Sequence, residues 1–239
     1  MIIRRADFFH GTRINSFDCD GLLINIHQNP GLNKFFHEFG VKYRMRKLHD
    51  RFFKQAKREG KLARSVYKLA ELDRRDKLIK RGDRVLDIGA SPGSWLEHIL
   101  ETVGSDGVAC AIDLKPIHKK FKGRAHFKKM DIHDFKGDEF AAVAPDGFNV
   151  IVSDMAPNTS GIKIVDQTKS LELCELVLEL AGRLLKKGGN FVCKIFYGPE
   201  TEAFKNTVAK HFKEAKIRKP DACRDESIET YIIGLGFLG

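Results

Sequence analysis

One stretch, residues 84–95 (RVLDIGASPGSW), constrains the fold more than any other part of the sequence. A short apolar run rich in β-branched residues is followed by two glycines, Gly89 and Gly93, and then by apolar residues at helical spacing. A strand, a glycine turn and a helix in this order are typical of the opening unit of a doubly wound α/β sheet. Ligands of such sheets bind beyond the carboxyl ends of the strands, where glycines let the backbone approach a bound molecule closely.

The residues of this loop indicate which class of ligand it binds. A dinucleotide fingerprint needs the spacing G-x-G-x-x-G, whereas this loop reads D-x-G-x-S-x-G, with Asp87 two residues before Gly89. A carboxylate at that position would repel a pyrophosphate but can accept a hydrogen bond from an ammonium group. We therefore expect Asp87 and Gly89 to bind a zwitterionic, sulfonium-bearing ligand such as S-adenosyl-L-methionine (SAM) rather than NAD. The alternative is a strand-to-helix turn that binds nothing.

Composition excludes several classes of protein. The 239 residues can form one large domain or a domain with an extension, and the sequence has no apolar run long enough for a membrane span. The N-terminus lacks the apolar core of a secretory signal, and early aspartates argue against a transit peptide, so we expect a cytoplasmic protein. The five cysteines are scattered without C-x-x-C spacing, which predicts reduced thiols and no metal site.

The net charge of +10 is concentrated in one segment. Residues 42–84 contain seventeen Lys or Arg and six Asp or Glu, while the rest of the chain is close to neutral. Such a segment is either a solvated face or a surface that binds nucleic-acid phosphates, and we expect the second.

Hydrophobic patterning predicts the remaining elements. Residues 1–41 show no sustained period. The predicted strands after the first are 107–113, 125–131, 148–154, 190–196, one near Ile217, and 230–235. The predicted helices are 49–60, 66–79 with Ser65 as its N-cap, 166–187 with Gly188 as its cap, and 200–212.

Charged residues stand at the ends of these strands or within them. Asp113 follows the second strand, where an acid in nucleoside-binding sheets accepts from ribose hydroxyls, although it could instead cap the next turn. Asp154 ends the fourth strand, and Lys194 interrupts the apolar strand FVCKIF. Because a charge in a buried strand is costly unless paired, Lys194 needs an acid, and Glu229 at the start of the last strand is a second candidate. A purely structural ion pair is the alternative to a catalytic one.

Several motifs, in order, resemble the FtsJ-like (RrmJ-type) RNA 2′-O-ribose methyltransferases. They are DRFFKQAKREG, RSVYKL, DIGASPGSW, SDMAPNTSG, VCKIF and IRKPDACRDESIETYII. The resemblance runs from about residue 49 to the C-terminus, so we expect a methyltransferase domain over 49–239 and an extension of unknown role over 1–48. It implies an α/β, Rossmann-like SAM-dependent methyltransferase fold: a seven-stranded, mostly parallel sheet with helices on both faces.

The resemblance also implies site residues. The family's Lys-Asp-Lys-Glu tetrad falls on Lys68, Asp154, Lys194 and Glu229, and the second lysine is the base that deprotonates the ribose 2′-hydroxyl. The cofactor contacts fall on Gly93, Trp95, Asp113, Asp131 and Asp154. Two small residues depart from the usual loop, since Ser91 replaces a common alanine and Ser94 a common second glycine.

The predicted activity is methylation of large-subunit ribosomal RNA, most specifically of a uridine ribose, with RNA as the partner of a monomeric enzyme. Transfer RNA and the mRNA cap are alternative substrates, because the motifs are nearly shared among these branches. A protein that binds RNA without turnover is a further alternative, and an incomplete tetrad would favour it. A hemolysin-like relative would carry an N-terminal S4-type RNA-binding module, a pattern that residues 1–48 do not show.

Overall fold

A computed structural model describes residues 51–117, 119, 121, 125–224 and 226–239. These residues belong to one compact unit, His49–Gly239. The extension predicted over 1–48 lies outside the described residues, so the division of the chain at residue 49 stays a prediction.

Helices and strands alternate through most of the described chain, as a doubly wound fold requires. The helices are α1 (Arg51–Arg58), α2 (Val66–Asp76), α3 (Ser94–Val103), α4 (Lys163–Leu184) and α5 (Thr201–Ala209), with a 3₁₀ turn at Asp138–Phe140. The strands are β1 (Arg84–Ile88), β2 (Val108–Asp113), β3 (Ala125–Lys129), β4 (Phe148–Ser153), β5 (Leu185–Phe196), β6 (Phe212–Arg218) and β7 (Glu229–Phe237).

The seven strands form one sheet in the order β3-β2-β1-β4-β5-β7-β6. Strands β1 to β5 are parallel, and β7 pairs antiparallel with both β5 and β6. The strand order reverses between β1 and β4, which creates the crevice where ligands of open α/β sheets bind. The predicted seven-stranded, mostly parallel sheet is confirmed.

Helices cover both faces of the sheet because successive strand residues point to opposite sides. On β1, Val85 belongs to the core cluster that contains side chains of α2 and α3, and its neighbour Leu86 belongs to the cluster that contains side chains of α4 and α5. Both side chains are fully buried, which explains why the sequence of β1 is nearly continuous in apolar residues.

The junction between α4 and β5 differs from its prediction. The helix predicted to end at residue 187 ends at Leu184, and Lys186, Lys187 and Gly188 belong to β5 instead. Leu185 is extended, buried and paired with Phe148 of β4, ahead of a shift in register. The burial of Leu185 against β4 outweighs the helical preference of the residues that follow.

Two helix ends and one cap also differ from the prediction. Helix α2 ends at Asp76 rather than residue 79, because Lys77 is left-handed (φ 52°) and the Ile79 N–H donates to the Asp73 carboxylate at 2.9 Å. Helix α5 ends before Phe212, which begins β6. Ser65 stands at the N-cap position of α2, but its side chain makes no capping hydrogen bond.

The described cysteines are all buried and free, as predicted: Cys110, Cys174, Cys193 and Cys223. Cys19 lies outside the described residues. Among the helices of the described chain, none combines the length and the apolar character that crossing a bilayer requires.

Candidate active site

The fold brings three predicted aspartates to neighbouring strand ends. Asp87 lies in β1, Asp113 ends β2 and Asp154 directly follows β4, and β1 lies between the other two strands in the sheet. The carboxylates of Asp154 and Asp113 both act electrostatically on Asp87. Residues 87, 113 and 154 therefore share the crevice at the reversal of strand order.

Of the three carboxylates, Asp87 has the fewest hydrogen bonds to stabilise a negative charge. Its side chain is 1% exposed, and neither carboxylate oxygen has a hydrogen-bond partner among the described residues. Burial, reinforced by the negative charges of Asp154 and Asp113, raises the pKa of Asp87 well above its ordinary value. A positive charge in the crevice would relieve this cost, as the sequence argument from an ammonium group expects.

Asp113 and Asp131 organise the loops beside the crevice. The carboxylate of Asp113 accepts from the Ser91 N–H at 2.8 Å and from the Lys115 N–H at 2.7 Å, so it caps the turn after β2. Asp131 likewise accepts from the His133 N–H at 3.0 Å. Carboxylate oxygens have further lone pairs, so the predicted contacts of both acids with a cofactor stay predictions.

The two glycines of the loop have backbone conformations that other residues rarely adopt. Gly89 has φ +80° and Gly93 φ +103°. A Cβ at Gly89 would lie 2.3 Å from Cγ of Met155, which follows Asp154 in the chain. Next to Gly93, the Ser94 hydroxyl is buried without a hydrogen-bond partner in the described structure.

Trp95, predicted to contact the cofactor, lies at the centre of the fold. Its side chain is buried, its indole N–H donates to the Ser65 carbonyl at 2.9 Å, and its ring lies 5.9 Å from that of Tyr231. Trp95 thereby joins the glycine loop to the start of α2, which carries Lys68. Its contact with a cofactor stays a prediction.

Lys194 is held by acceptors on two other strands. Its Nζ lies 2.5 Å from the Asp154 backbone carbonyl oxygen, 3.2 Å from Asp154 Oδ1 and 3.7 Å from Glu229 Oε1. The side chain is nearly as buried as its apolar neighbours in β5. Asp154 and Glu229 are therefore the acidic partners that the sequence predicted for a lysine within a buried strand.

Glu229 joins the two lysines of the predicted tetrad. Its Oε2 lies 2.8 Å from Nζ of Lys68, which is only 5% exposed, although a lysine between the apolar positions of a helix usually extends to solvent. Burial lowers the pKa of Lys68, but the Asp154 and Glu229 carboxylates outweigh burial and leave that pKa raised. For Glu229, burial raises the pKa and the two lysines outweigh it, so its pKa is lowered. Lys68, Glu229, Lys194 and Asp154 thus form a continuous chain of contacts.

Tyr231 belongs to this chain and was not predicted. Its hydroxyl donates to Asp154 Oδ1 at 2.7 Å, and its backbone pairs with Lys194 in the β5–β7 ladder. Burial and the nearby Asp154 charge raise the pKa of Tyr231 well above its ordinary value, so it acts as a donor. Its position could have been found, because residues two apart on a strand share a face and Tyr231 follows Glu229 by two.

The residues around the crevice fit a cationic ligand that bears hydroxyl groups. Uncompensated carboxylate charge at Asp87 suits a sulfonium or an ammonium, and the acids after β2 and β3 can accept from a ribose diol. SAM carries all of these groups. No cluster of His, Cys, Asp or Glu in the described part of the chain is arranged to hold a metal ion.

This sheet order, with a glycine loop after β1 and acids after the neighbouring strands, defines the class of Rossmann-like α/β methyltransferases. The chain belongs to the FtsJ-like methyltransferase family, whose model matches residues 62–237.

Relatives in the family are similar over most of their length. A protein of Desulforapulum autotrophicum named ribosomal RNA large subunit methyltransferase E is 46% identical over 187 residues, 78% of this chain and 92% of that protein. A protein of the same name from Syntrophobacter fumaroxidans is 42% identical over 79% of this chain and 95% of its own. A crystal structure of a Plasmodium falciparum protein assigned as a ribosomal RNA methyltransferase superposes with a TM-score of 0.67 at 27% identity, covering 74% of this chain and 98% of that one.

Proposed function

We propose that this protein methylates the 2′-hydroxyl of a ribose in large-subunit ribosomal RNA, with SAM as the methyl donor. One observation carries the proposal: Lys68, Glu229, Lys194 and Asp154 form one continuous chain of contacts at the crevice that fits a cationic cofactor. The names of the relatives support ribosomal RNA as the substrate. The resemblance of the sequence to RNA 2′-O-methyltransferases supports the ribose hydroxyl as the acceptor.

The crevice residues hold and orient the donor. We assign the ammonium and sulfonium charges to the field of Asp87 and Asp154, and the ribose hydroxyls to Asp113 and Asp131, with Gly89 and Gly93 allowing close backbone approach. When bound, SAM supplies an electrophilic methyl group that a hydroxyl oxygen can attack in line. Fixing the two reacting atoms in this alignment supplies much of the rate enhancement.

Lys194 is the proposed base for the hydroxyl proton. A neutral lysine amine keeps two N–H donors and one lone pair. The two donors suffice for the carbonyl and the carboxylate of Asp154, which leaves the lone pair for the substrate hydroxyl. The proton released by methyl transfer then resides on Lys194, and the carboxylates of Asp154 and Glu229 stabilise the resulting ammonium.

Four other polar groups position Lys194. Tyr231 fixes one oxygen of Asp154, and Lys68 fixes one oxygen of Glu229, so neither carboxylate can rotate away from the Lys194 nitrogen. An intact tetrad argues against the alternative of a protein that binds RNA without turnover.

The test is transfer of labelled methyl from SAM to large-subunit ribosomal RNA, with transfer RNA and capped RNA in parallel. The wild type should label one ribosomal 2′-oxygen, and Lys194→Ala should lower turnover by roughly 10²- to 10⁴-fold with unchanged SAM affinity. Lys216→Ala is the matched control, because Lys216 is also a strand lysine in ion pairs, with Asp76 and Glu214 on the far edge of the sheet.

Each other outcome contradicts a different part of the proposal. Full turnover by Lys194→Ala would remove its role as base. Label on transfer RNA or the cap alone would overturn the substrate. Absence of label on every RNA, with SAM bound, would favour the protein that binds RNA without turnover.

A further inference from the structure

An exposed apolar surface adjoins the proposed active site. Ile162, Ile164 and Tyr197 are each more than half exposed, although large apolar side chains are normally buried. They line a cavity of about 630 Å³ together with Lys163, Gln167, Gly198 and Pro199. Its volume falls within the usual range for ligand sites, and clustered exposed apolar residues mark binding surfaces.

The walls of this cavity are fixed by specific contacts. The Gln167 side-chain amide donates to the Tyr197 carbonyl at 2.5 Å, which joins the start of α4 to the end of β5. Gly198 approaches the Gln167 side chain so closely that a Cβ would lie 2.8 Å from it, and its N–H donates to the Thr201 hydroxyl at 2.9 Å. The Tyr197 ring therefore projects from an anchored backbone.

The cavity lies beside the tetrad along the chain and across the sheet. Tyr197 follows Lys194 by three residues, so their Cα atoms are at most about 11 Å apart. The Tyr197 N–H donates to the Ile228 carbonyl at 2.7 Å, and the preceding residue, Phe196, pairs with Glu229. The loop that follows β4 connects Asp154 to Ile162, which also lines the cavity.

A nucleotide whose 2′-oxygen reaches Lys194 must place its base nearby, because the base is attached to the carbon next to C2′. A nucleobase has apolar faces and polar edges. The Tyr197 ring and the isoleucines suit the faces, while Gln167 can meet a base edge and Lys163 an adjacent phosphate. We propose that this cavity binds the base of the nucleotide that is methylated. The inference rests on the proposed function and adds a substrate subsite to it.

The first experiment compares Tyr197→Ala, Tyr197→Phe and Leu238→Ala on large-subunit ribosomal RNA. Stacking on one aromatic ring is worth roughly 5- to 100-fold, so Tyr197→Ala should raise the KM for RNA by that factor with SAM affinity unchanged. Tyr197→Phe keeps the ring and should restore the KM. Leu238 is a comparably exposed apolar residue at the far end of β7 and should have no effect.

The second experiment uses RNA whose target nucleotide, mapped beforehand, keeps its ribose but lacks its base. The KM of the wild type for this RNA should exceed its KM for intact RNA by the same factor by which Tyr197→Ala raises the KM for intact RNA. Removal of the base should not raise the KM of Tyr197→Ala any further.

Three results would overturn the subsite. The first is a KM of Tyr197→Ala equal to that of Leu238→Ala, and the second is an equal increase of KM by Tyr197→Ala on RNA with and without the base. The third is an increase of KM that occurs only on assembled ribosomal subunits. The last would indicate a protein-docking surface. Failure of the proposed function itself is distinguishable, since wild type would then methylate neither RNA.

Discussion

Asp87 is the residue whose ionised form a positively charged ligand would stabilise most. A carboxylate buried without hydrogen bonds is costly to ionise, and here two further acids add to the cost. Evolution of a purely structural turn would favour an apolar or amide side chain at this position. The uncompensated charge is therefore physical support for a cationic cofactor that is independent of the family resemblance.

The raised pKa of Asp87 predicts a specific dependence of stability on pH. The folded state keeps the Asp87 proton at pH values where the unfolded chain has released it, so this group lowers the free energy of unfolding as pH rises above about 4. In ligand-free protein, the free energy of unfolding of Asp87→Asn should therefore increase relative to that of wild type as the pH rises from 5 to 8. Chemical denaturation at both pH values measures the difference.

The control is Asp106→Asn, which removes a carboxylate from an exposed turn. Parallel pH profiles for wild type and Asp87→Asn would contradict the assigned environment. Adding SAM should reduce the difference, because a nearby positive charge stabilises the ionised carboxylate.

At the scale of elements, the turn from β1 into α3 depends on a glycine for two reasons. Gly89 has a left-handed backbone, and Met155 occupies the space where its Cβ would lie. Gly188 has a similar φ of +83° but has no atom within 4 Å of a Cβ position. A comparison of substitutions at the two glycines therefore distinguishes the cost of backbone strain from the cost of steric overlap.

We expect Gly188→Ala to lower the free energy of unfolding by about 1–2 kcal/mol, the cost of a left-handed alanine. Gly89→Ala should lower it by about 2–5 kcal/mol, since displacement of Met155 adds an overpacking cost. Urea denaturation of both variants measures the two costs. Equal losses would mean that Met155 moves aside freely.

At the scale of the whole molecule, the uneven charge predicts how RNA binds. Helix α1 exposes Arg51, Lys54, Lys57 and Arg58, and it lies within the basic segment 42–84. Arg44, Arg46 and Lys47, which we expect to bind RNA phosphates, lie outside the described residues. The prediction of a monomer is likewise untested.

Replacing Lys54, Lys57 and Arg58 together by alanine should weaken RNA binding and make it less dependent on salt. Each lost phosphate contact reduces the steepness of the slope of log K against log salt by roughly 0.7–0.9, so loss of three contacts predicts a reduction of about 2–3. The matched control replaces Lys187, Lys210 and Lys213, three exposed lysines elsewhere on the described surface. An equal loss in both triple variants would indicate only the effect of net charge.

The sequence by itself determined the α/β class, the seven strands and the glycine loop, because each depends on local patterns of apolar residues and glycines. It also predicted Lys68, Asp154, Lys194 and Glu229, although only through several motifs taken together. Lys68 shows the limit of local reasoning, since a lysine between the apolar positions of a helix usually extends to solvent, whereas Lys68 is buried.

Only the tertiary structure decided the contacts between these residues. Glu229 lies 161 positions from Lys68 in the chain, yet α2 and β7 share one hydrophobic core, and the two side chains meet at 2.8 Å. Contacts between distant segments also placed Tyr231 against Asp154 and assembled the cavity around Tyr197, and the pairing of Leu185 with Phe148 of β4 ended α4 at Leu184. Local propensity could not predict these features, because they depend on burial and pairing between segments that are distant in sequence.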